Sequence, residues 1–236
     1  MYGFYGYGYS DYSGLLLIAM LAVLVLGMVA QGQVSRTFER YAKAPASSGK
    51  PAAEVARRLL YDAGSPVQVT EVGGRLTDHF NPKTNVVGLS TSVYNHSSVA
   101  ALAVAAHEIG HVLQYQDGYL PIRLRNAVLP VASIGSNAAP WLTLLGVLMD
   151  SFNLAMLGVW LFLGILLFQL VTLPVEFNAS RRALALLEGG NYLSYQESDG
   201  ARKVLRAAAM TYVVAALSAL VSFLRLFLMA RSTRRD

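Results

Sequence analysis

The chain contains no cysteine. A disulfide framework, a thiolate metal site and a cysteine nucleophile are therefore excluded, and any metal ligands must be histidine, aspartate or glutamate. Charged residues are also few: they form 14% of the chain, whereas a soluble domain carries roughly a quarter. Because 54% of the residues are hydrophobic, we expect much of the surface to face lipid.

The sequence contains four long apolar runs that are candidate transmembrane helices. A transmembrane helix needs about 20 predominantly apolar residues, and four runs come near or above that length. The first run lacks the positive n-region and the cleavage site of a signal peptide, so we expect a retained membrane anchor. The sequence thus predicts a multi-pass protein of the cell (inner) membrane, in contact with the lipid bilayer. The four runs are residues 15–30, 128–149, 154–175 and 207–229.

The distribution of lysine and arginine predicts the orientation in the membrane. Residues 31–127 hold ten of the 19 basic residues and residues 176–206 hold five, while the turn at residues 150–153 holds none. Because basic residues near span ends stay in the cytoplasm, we expect both polar segments to face the cytoplasm. The basic C-terminal tail disagrees, because four spans that begin outside also end outside. Either the tail breaks the rule, or the last run, which contains Arg225, does not cross fully.

The net charge of +5 could also suggest nucleic-acid binding. The basic residues are, however, spread over the segments between the apolar runs and form no basic motif interleaved with aromatic residues. Orientation of the spans explains these residues better, and we expect no nucleic-acid partner.

Between the first two apolar runs, the sequence predicts two helices and a sheet. Residues 51–64, PAAEVARRLLYDAG, form an amphipathic pattern with proline at its start and glycine at its end. Residues 66–94 alternate apolar and polar side chains, which predicts a small antiparallel sheet with Val86–Ser90 as its clearest strand. Ser97 or Ser98 can then cap a helix that runs to residue 116.

A metal-binding pattern lies in the middle of that last helix, in AAHEIGHVLQ. Residues four apart on an α-helix are about 40° apart around the axis and about 6 Å apart along it, so His107 and His111 project from one face and can share a metal ion. Glu108 points to a neighbouring sector, where it can reach a water on that metal without displacing a ligand. The HExxH pattern therefore indicates a zinc hydrolase.

The expected chemistry follows from zinc. Zn²⁺ with three protein ligands and an open position lowers the pKa of bound water to roughly 7 and polarises the carbonyl under attack. Glu108 would accept the water proton and pass it to the leaving amine, so we expect peptide-bond hydrolysis with one zinc ion per chain. Alternatively, the histidines could be packing or surface residues. Two of only four histidines at metal spacing in an apolar helix favour the site, because an unpaired buried polar group is costly.

The third ligand must come from elsewhere in the chain. Two antiparallel spans would return Glu176 to the side where the HExxH helix ends, and Pro174 is expected to mark the start of a new helix there. Glu176 could instead be a carboxylate favoured by the macrodipole of that helix. His79, His96 and Asp117 are other candidates, although Asp117 lies too near the motif to reach back easily. We expect Glu176 to complete the ligand set.

Three stretches carry a resemblance to a known family: HEIGH, GRLTDHFNPKTNVVGLS and VEFNASRRAL. From residue 36 onward, the chain resembles the YugP-type neutral zinc metallopeptidases of bacterial membranes. It is also similar, more distantly, to HtpX-like membrane proteases, in which two spans separate HExxH from a glutamate ligand in an E-x-x-A-D type motif. The corresponding stretch here begins at Glu176, and Ser180 stands where that motif has aspartate. The ligand position matches, whereas the aspartate is replaced.

The resemblance implies a mainly α membrane protein with a gluzincin-like zincin core. In such a core, the HExxH helix, a glutamate helix and a small sheet surround the zinc. By position, the edge strand above the zinc would be Val86–Ser90, and an exposed edge can pair with an extended peptide. Asp78 and His79 would support the fold or the ligands. The candidate transition-state donors lie downstream of the glutamate helix: Tyr192, Tyr195 and Arg202.

These features predict an integral membrane zinc metalloendopeptidase that acts on peptide or protein substrates at the cytoplasmic face. A scaffold with a structural or inactive HExxH site is disfavoured by the intact Glu108. A zinc hydrolase of a lipid or a non-peptide amide is also possible. The only feature that favours a peptide over these substrates is the strand at Val86–Ser90, whose edge could pair with an extended peptide. Five segments are expected: residues 1–32 (Tyr/Gly-rich N-terminus and first span), 33–127 (cytoplasmic zincin segment), 128–175 (transmembrane hairpin), 176–206 (glutamate-ligand helix and cytoplasmic segment) and 207–236 (last span and basic tail).

Overall fold

The computed structural model describes residues 9–233, with side chains from residue 12 onward. Most of the Tyr/Gly-rich start of the chain, and Arg234 and Arg235 of the basic tail, lie outside the described residues. Within them the chain forms, in order, α1 (Tyr9–Ala42), α2 (Ala52–Asp62), β1 (Gln68–Val72), β2 (His79–Asn81), β3 (Val86–Ser90), α3 (Val99–Gln116), α4 (Leu120–Leu148), α5 (Phe152–Gly189) and α6 (Tyr195–Ser232).

Four of these helices, α1, α4, α5 and α6, are long and apolar enough to cross a membrane, judged by the length and composition of the described residues. Their surfaces carry large apolar side chains: Leu15, Ile18, Trp141 and Trp160 are each more than half exposed. Extended apolar surface of this kind is rare on soluble monomers and marks an interaction site, here with lipid. The number of candidate spans agrees with the predicted four, and the chain is consistent with a membrane protein.

The chain folds into two compact units: the helical unit, which comprises Met1–Val29, Arg123–Thr172 and Tyr212–Asp236, and the site unit, which comprises Ala30–Ile122 and Leu173–Thr211. In the helical unit, α4 and α5 approach closely through a small residue. A Cβ atom on Gly158 would lie 2.6 Å from the carbonyl oxygen of Ala139. Small residues let membrane helices pack backbone to backbone. The functional division into five segments stays a prediction.

The core of the site unit is formed mainly by α2, α3 and β3. Val55 and Leu59 lie four positions apart on α2, and both are buried. Helix α3 is buried on most of its surface, with Leu102 and Ile109 fully inaccessible. The Ser98 side chain accepts a hydrogen bond from the backbone of the first turn of α3, which confirms one of the two predicted caps. The HExxH motif therefore lies on a helix whose neighbours exclude water.

The three-stranded sheet is mixed rather than antiparallel, so that prediction is wrong. Strand order is β1-β3-β2, with β3 parallel to β1 and antiparallel to β2. The predicted edge strand, β3, therefore lies in the centre with a neighbour on each side. Its four consecutive buried residues fit a central strand, because such strands contact the core on both faces. The β-propensity of the residues indicates that a strand exists. Which strands lie beside it depends on the path of the connecting segments.

Helix α5 continues through Pro174 without a break. The prediction that a new helix begins at Pro174 is wrong. Proline removes one backbone N–H, and apolar membrane helices tolerate this loss where neighbouring groups satisfy the freed carbonyl. Glu176 consequently lies well inside α5. It is not at a helix N-terminus, and the macrodipole therefore does not explain its position.

Candidate metal centre

The two motif histidines lie side by side on α3. Their ring centroids are 4.8 Å apart, with the ring planes nearly perpendicular. The side chain of His107 is 16% exposed and that of His111 is 12% exposed, so both are mostly buried but retain some access to solvent. A spacing of four residues on a helix produces this arrangement, and the predicted common face is present.

Helix α5 brings Glu176 to these rings. Its Oε2 atom lies 3.2 Å from Nε2 of His107 and 3.7 Å from Nε2 of His111. Glu176 is only 3% exposed, although it is a carboxylate. Burial of an ionised carboxylate is costly unless a cation or hydrogen-bond donors compensate it. The structure thus places together the three residues that the sequence analysis selected as metal ligands.

The donor set fits a zinc ion. The ligand atoms of His107, His111 and Glu176 all lie within 4.8 Å of one another. Ligands about 2.0–2.1 Å from a shared tetrahedral ion are separated from each other by roughly 3.3 Å, close to the observed 3.2 Å and 3.7 Å. Two imidazoles and one carboxylate would hold such an ion with three protein ligands, the number found in catalytic zinc sites.

The other candidate ligands point elsewhere. His79 is exposed, and its Nδ1 atom lies 2.9 Å from the carbonyl oxygen of Thr77. His96 is exposed, and Asp117 forms an ion pair with Arg182. Within the described part of the chain, none of these three belongs to the group of potential metal ligands.

The close approach of α3 and α5 depends on Gly110, between the two histidines. A Cβ atom there would lie 2.6 Å from the carbonyl oxygen of Ala179 and 3.1 Å from its Cα atom. Both neighbours are backbone atoms, which cannot rotate away. Any larger residue would therefore push α5, and with it Glu176, away from the histidines.

Gly110→Ala is accordingly expected to destabilise the protein by about 1–3 kcal/mol, the usual range for overpacking, and to weaken zinc binding. Alanine otherwise favours helix over glycine by roughly 1 kcal/mol. Gly189→Ala is the matched control, because no atom lies within 4 Å of a Cβ atom at that end of α5. Unfolding midpoints and zinc titrations would check both variants. Wild-type values for Gly110→Ala would contradict the packing argument.

Both rings have a hydrogen-bonding partner on their Nδ1 side. Ser180 Oγ lies 3.3 Å from Nδ1 of His107, at the position where the HtpX-like motif has aspartate. Gln114 Oε1 lies 3.0 Å from Nδ1 of His111. The replacement at Ser180 was noted from the sequence, but Gln114 was not identified. The available signal was an amide three residues after His111 in a mostly apolar helix.

Glu108 is 8% exposed. Burial raises the pKa of its carboxyl group, while the nearby His111 and His107 oppose that rise. For His111, burial lowers the pKa, but the adjacent Glu176 carboxylate and the charge of Glu108 outweigh burial, and the net pKa is raised. Burial thus disfavours the ionised form of Glu108, and the two adjacent histidines favour it.

Asp78 stabilises the sheet beside the site. Its carboxylate accepts hydrogen bonds from the backbone N–H of Ser90 at 2.8 Å and from the Ser90 hydroxyl at 2.9 Å. Burial raises the pKa of Asp78, and these two bonds partly offset the effect. The contacts tie the segment before β2 to the end of β3, which is a fold-supporting role.

The three candidate transition-state donors differ in their surroundings. Tyr192 is 9% exposed and packs in the core of the site unit. Tyr195 is 94% exposed, and Arg202 lies 3.7 Å from Glu188 in an ion pair. The role of transition-state donor stays a prediction for these three residues.

Comparison with known proteins identifies relatives across almost the whole chain. Residues 16–231 match a family described as "Putative neutral zinc metallopeptidase", and this region contains all of α3 and α5. The chain is 46% identical over 223 residues to "Putative membrane protease YugP" of Bacillus subtilis (strain 168), which covers 94% of this chain and 99% of that relative. No solved structure matches the chain.

Proposed function

The chain belongs to the putative neutral zinc metallopeptidase family, and from that premise we propose that it is an integral membrane zinc metalloendopeptidase. The proposed site is gluzincin-like: His107, His111 and Glu176 hold one zinc ion, and Glu108 is the general base. The observation that carries the proposal is the convergence of three ligand atoms within 4.8 Å, from two helices, around one locus.

The chemistry is divided between the ion and the protein. Zinc, when bound, supplies the Lewis acidity that activates water at neutral pH and polarises the peptide carbonyl. Glu108 accepts the proton of the attacking water and donates it to the leaving amine. Ser180 and Gln114 orient the two histidine rings from the side opposite Glu176. Because Glu108 and Glu176 are buried, bulk water has little access to their carboxylates.

Purified protein in detergent tests the proposal directly. We expect about one zinc per chain, digestion of an unfolded protein such as casein, loss of digestion with a chelator and recovery with added zinc. Bound zinc without digestion would indicate a structural site. Digestion of an ester or a non-peptide amide alone would shift the substrate class, and absence of bound zinc would contradict the site.

Replacement of either histidine should remove the metal. His107→Ala or His111→Ala leaves two protein ligands, which hold zinc poorly, so zinc content and hydrolysis should both fall to background. His96→Ala is the matched control, because that histidine is exposed and lies outside the ligand group. Metal analysis of the three purified variants checks the prediction. Full zinc occupancy after loss of His107 or His111 would count against the site.

The active site is proposed to face the cytoplasm, on the basis of the basic residues between the spans. The chain lacks cysteine, so single cysteines report accessibility cleanly. Ser47→Cys and Thr84→Cys, both at exposed positions in the site unit, should resist an impermeant thiol reagent in intact cells and react after lysis. Met149→Cys, in the short turn after α4, should react in intact cells. The reverse pattern would invert the topology.

A further inference from the structure

The side chain of Gln114 forms a buried link between α3 and α5. It is 0% exposed. Its Oε1 atom lies 3.0 Å from Nδ1 of His111, and its Nε2 atom lies 2.8 Å from the carbonyl oxygen of Val175 and 3.0 Å from Oδ1 of Asn178. All three polar contacts of this amide are thus with protein atoms. The orientation of the amide decides whether its oxygen, an acceptor, or its nitrogen, a donor, faces His111.

The surrounding groups determine that orientation. The Val175 carbonyl can only accept a hydrogen bond. Asn178 Oδ1 accepts one from Nε of Arg182 at 2.9 Å, and a guanidinium can only donate, so the oxygen of Asn178 must face Gln114. Two acceptors therefore require the amide nitrogen of Gln114. Its oxygen, by elimination, faces His111, although an amide can otherwise be placed either way round.

This orientation selects one tautomer of the neutral His111 ring. An amide oxygen accepts hydrogen bonds and cannot donate them, so Nδ1 of His111 must carry the hydrogen. The lone pair is then on Nε2, the atom that lies 3.7 Å from Glu176 Oε2. His107 differs, because its Nδ1 atom faces the hydroxyl of Ser180, which can donate or accept and therefore selects neither tautomer.

We propose that Gln114 is a positioning residue that holds His111 as the Nδ1–H tautomer, with Nε2 directed at the metal locus. Through Val175 and Asn178, the same amide also couples the ring to α5, on which Glu176 lies. Zinc binding then requires neither ring rotation nor a change of tautomer at His111. The inference rests on the proposed zinc site for its functional meaning, but the tautomer itself is a property of the metal-free protein.

Nitrogen NMR of the wild-type protein tests the tautomer directly. Full-length protein in detergent micelles, labelled with ¹⁵N-histidine and freed of metal, is measured at a pH where the rings are neutral. The His111 signals are assigned by comparison with the His111→Asn variant. We expect long-range couplings typical of a protonated Nδ1 and an unprotonated Nε2. A neutral His111 ring with its hydrogen on Nε2 would overturn the proposal.

Two substitutions separate positioning from packing. Gln114→Met keeps the volume, but its thioether is only a weak acceptor, and zinc affinity should fall about tenfold to hundredfold, as for other losses of a ligand's supporting group. Gln114→Glu keeps an acceptor for His111 but donates to neither Val175 nor Asn178. It should therefore lower the unfolding midpoint while binding zinc more tightly than Gln114→Met does.

Ser98→Ala is the matched control, because it also removes a buried hydrogen bond of α3 but at the far end of the helix. Its unfolding midpoint should fall while its zinc affinity stays at the wild-type value. If Gln114→Met bound zinc as tightly as the wild type, or if Ser98→Ala lost affinity equally, Gln114 would be a packing residue only. If the wild type bound no zinc, the proposed function would fail, and the NMR result would still decide the tautomer.

Discussion

Glu108→Gln is expected to leave the fold and the bound zinc intact while peptide hydrolysis falls by at least about a hundredfold, within the ~10²–10⁴-fold contribution of a positioned general base. Glutamine has nearly the same shape as glutamate but cannot accept the water proton. Because Glu108 is 8% exposed, the replacement side chain remains held by the same neighbours. Loss of a buried charge should not lower stability, since a neutral amide is less costly to bury than an unpaired carboxylate.

The test compares turnover, zinc content and unfolding midpoint between this variant and a matched one. Glu71→Gln makes the same chemical change at an exposed position on β1 and should hydrolyse substrate at the wild-type rate. Wild-type zinc content together with lost turnover in Glu108→Gln would assign the role of base. Substantial turnover by the variant would remove Glu108 from that role.

Glu176→Ala should lose both metal and activity. The carboxylate is 3% exposed and lies 3.2 Å from His107 Nε2, so alanine leaves the two imidazoles without their anionic partner. We expect zinc affinity to fall by more than the roughly tenfold to hundredfold seen when only a supporting group is removed. Peptide hydrolysis should become undetectable, because two protein ligands do not hold catalytic zinc.

A second glutamate on α5 provides the control for this variant. Glu188 is largely exposed and forms an ion pair with Arg202, so Glu188→Ala should retain zinc and activity. Zinc titration with a competing chelator, and proteolysis measured in parallel, check both proteins. If Glu176→Ala bound zinc normally while His79→Ala or His96→Ala did not, the ligand role would pass to that histidine and the gluzincin interpretation would be wrong.

Features that depend on neighbours in the sequence were predictable. The spacing of His107 and His111 places them on one helical face because the helix repeats every 3.6 residues, and this holds wherever α3 packs. The four apolar runs could be counted because span length is set by bilayer thickness. Ser98 was one of two possible caps, and the choice between Ser97 and Ser98 required only the position of the first helical turn.

Features that depend on which elements meet were less predictable. The strand at Val86–Ser90 was identified, but its central position was not, because alternation of side chains does not specify the partners of a strand. Pro174 suggested a helix start, whereas α5 continues through it. A proline removes one backbone hydrogen bond, and packing around the helix decides whether the helix ends there.

The sequence by itself therefore determined the spans, the HExxH helix and a short set of possible third ligands. Only the tertiary structure showed that Glu176, the expected third ligand, lies beside His107, 69 positions away, and that Gln114 contacts Val175, 61 positions away. These pairings require α3 and α5 to approach at Gly110, where a Cβ atom would meet the backbone of Ala179. The physical reason is that periodicity depends on local backbone geometry, whereas the meeting of distant helices depends on close packing of many side chains at once.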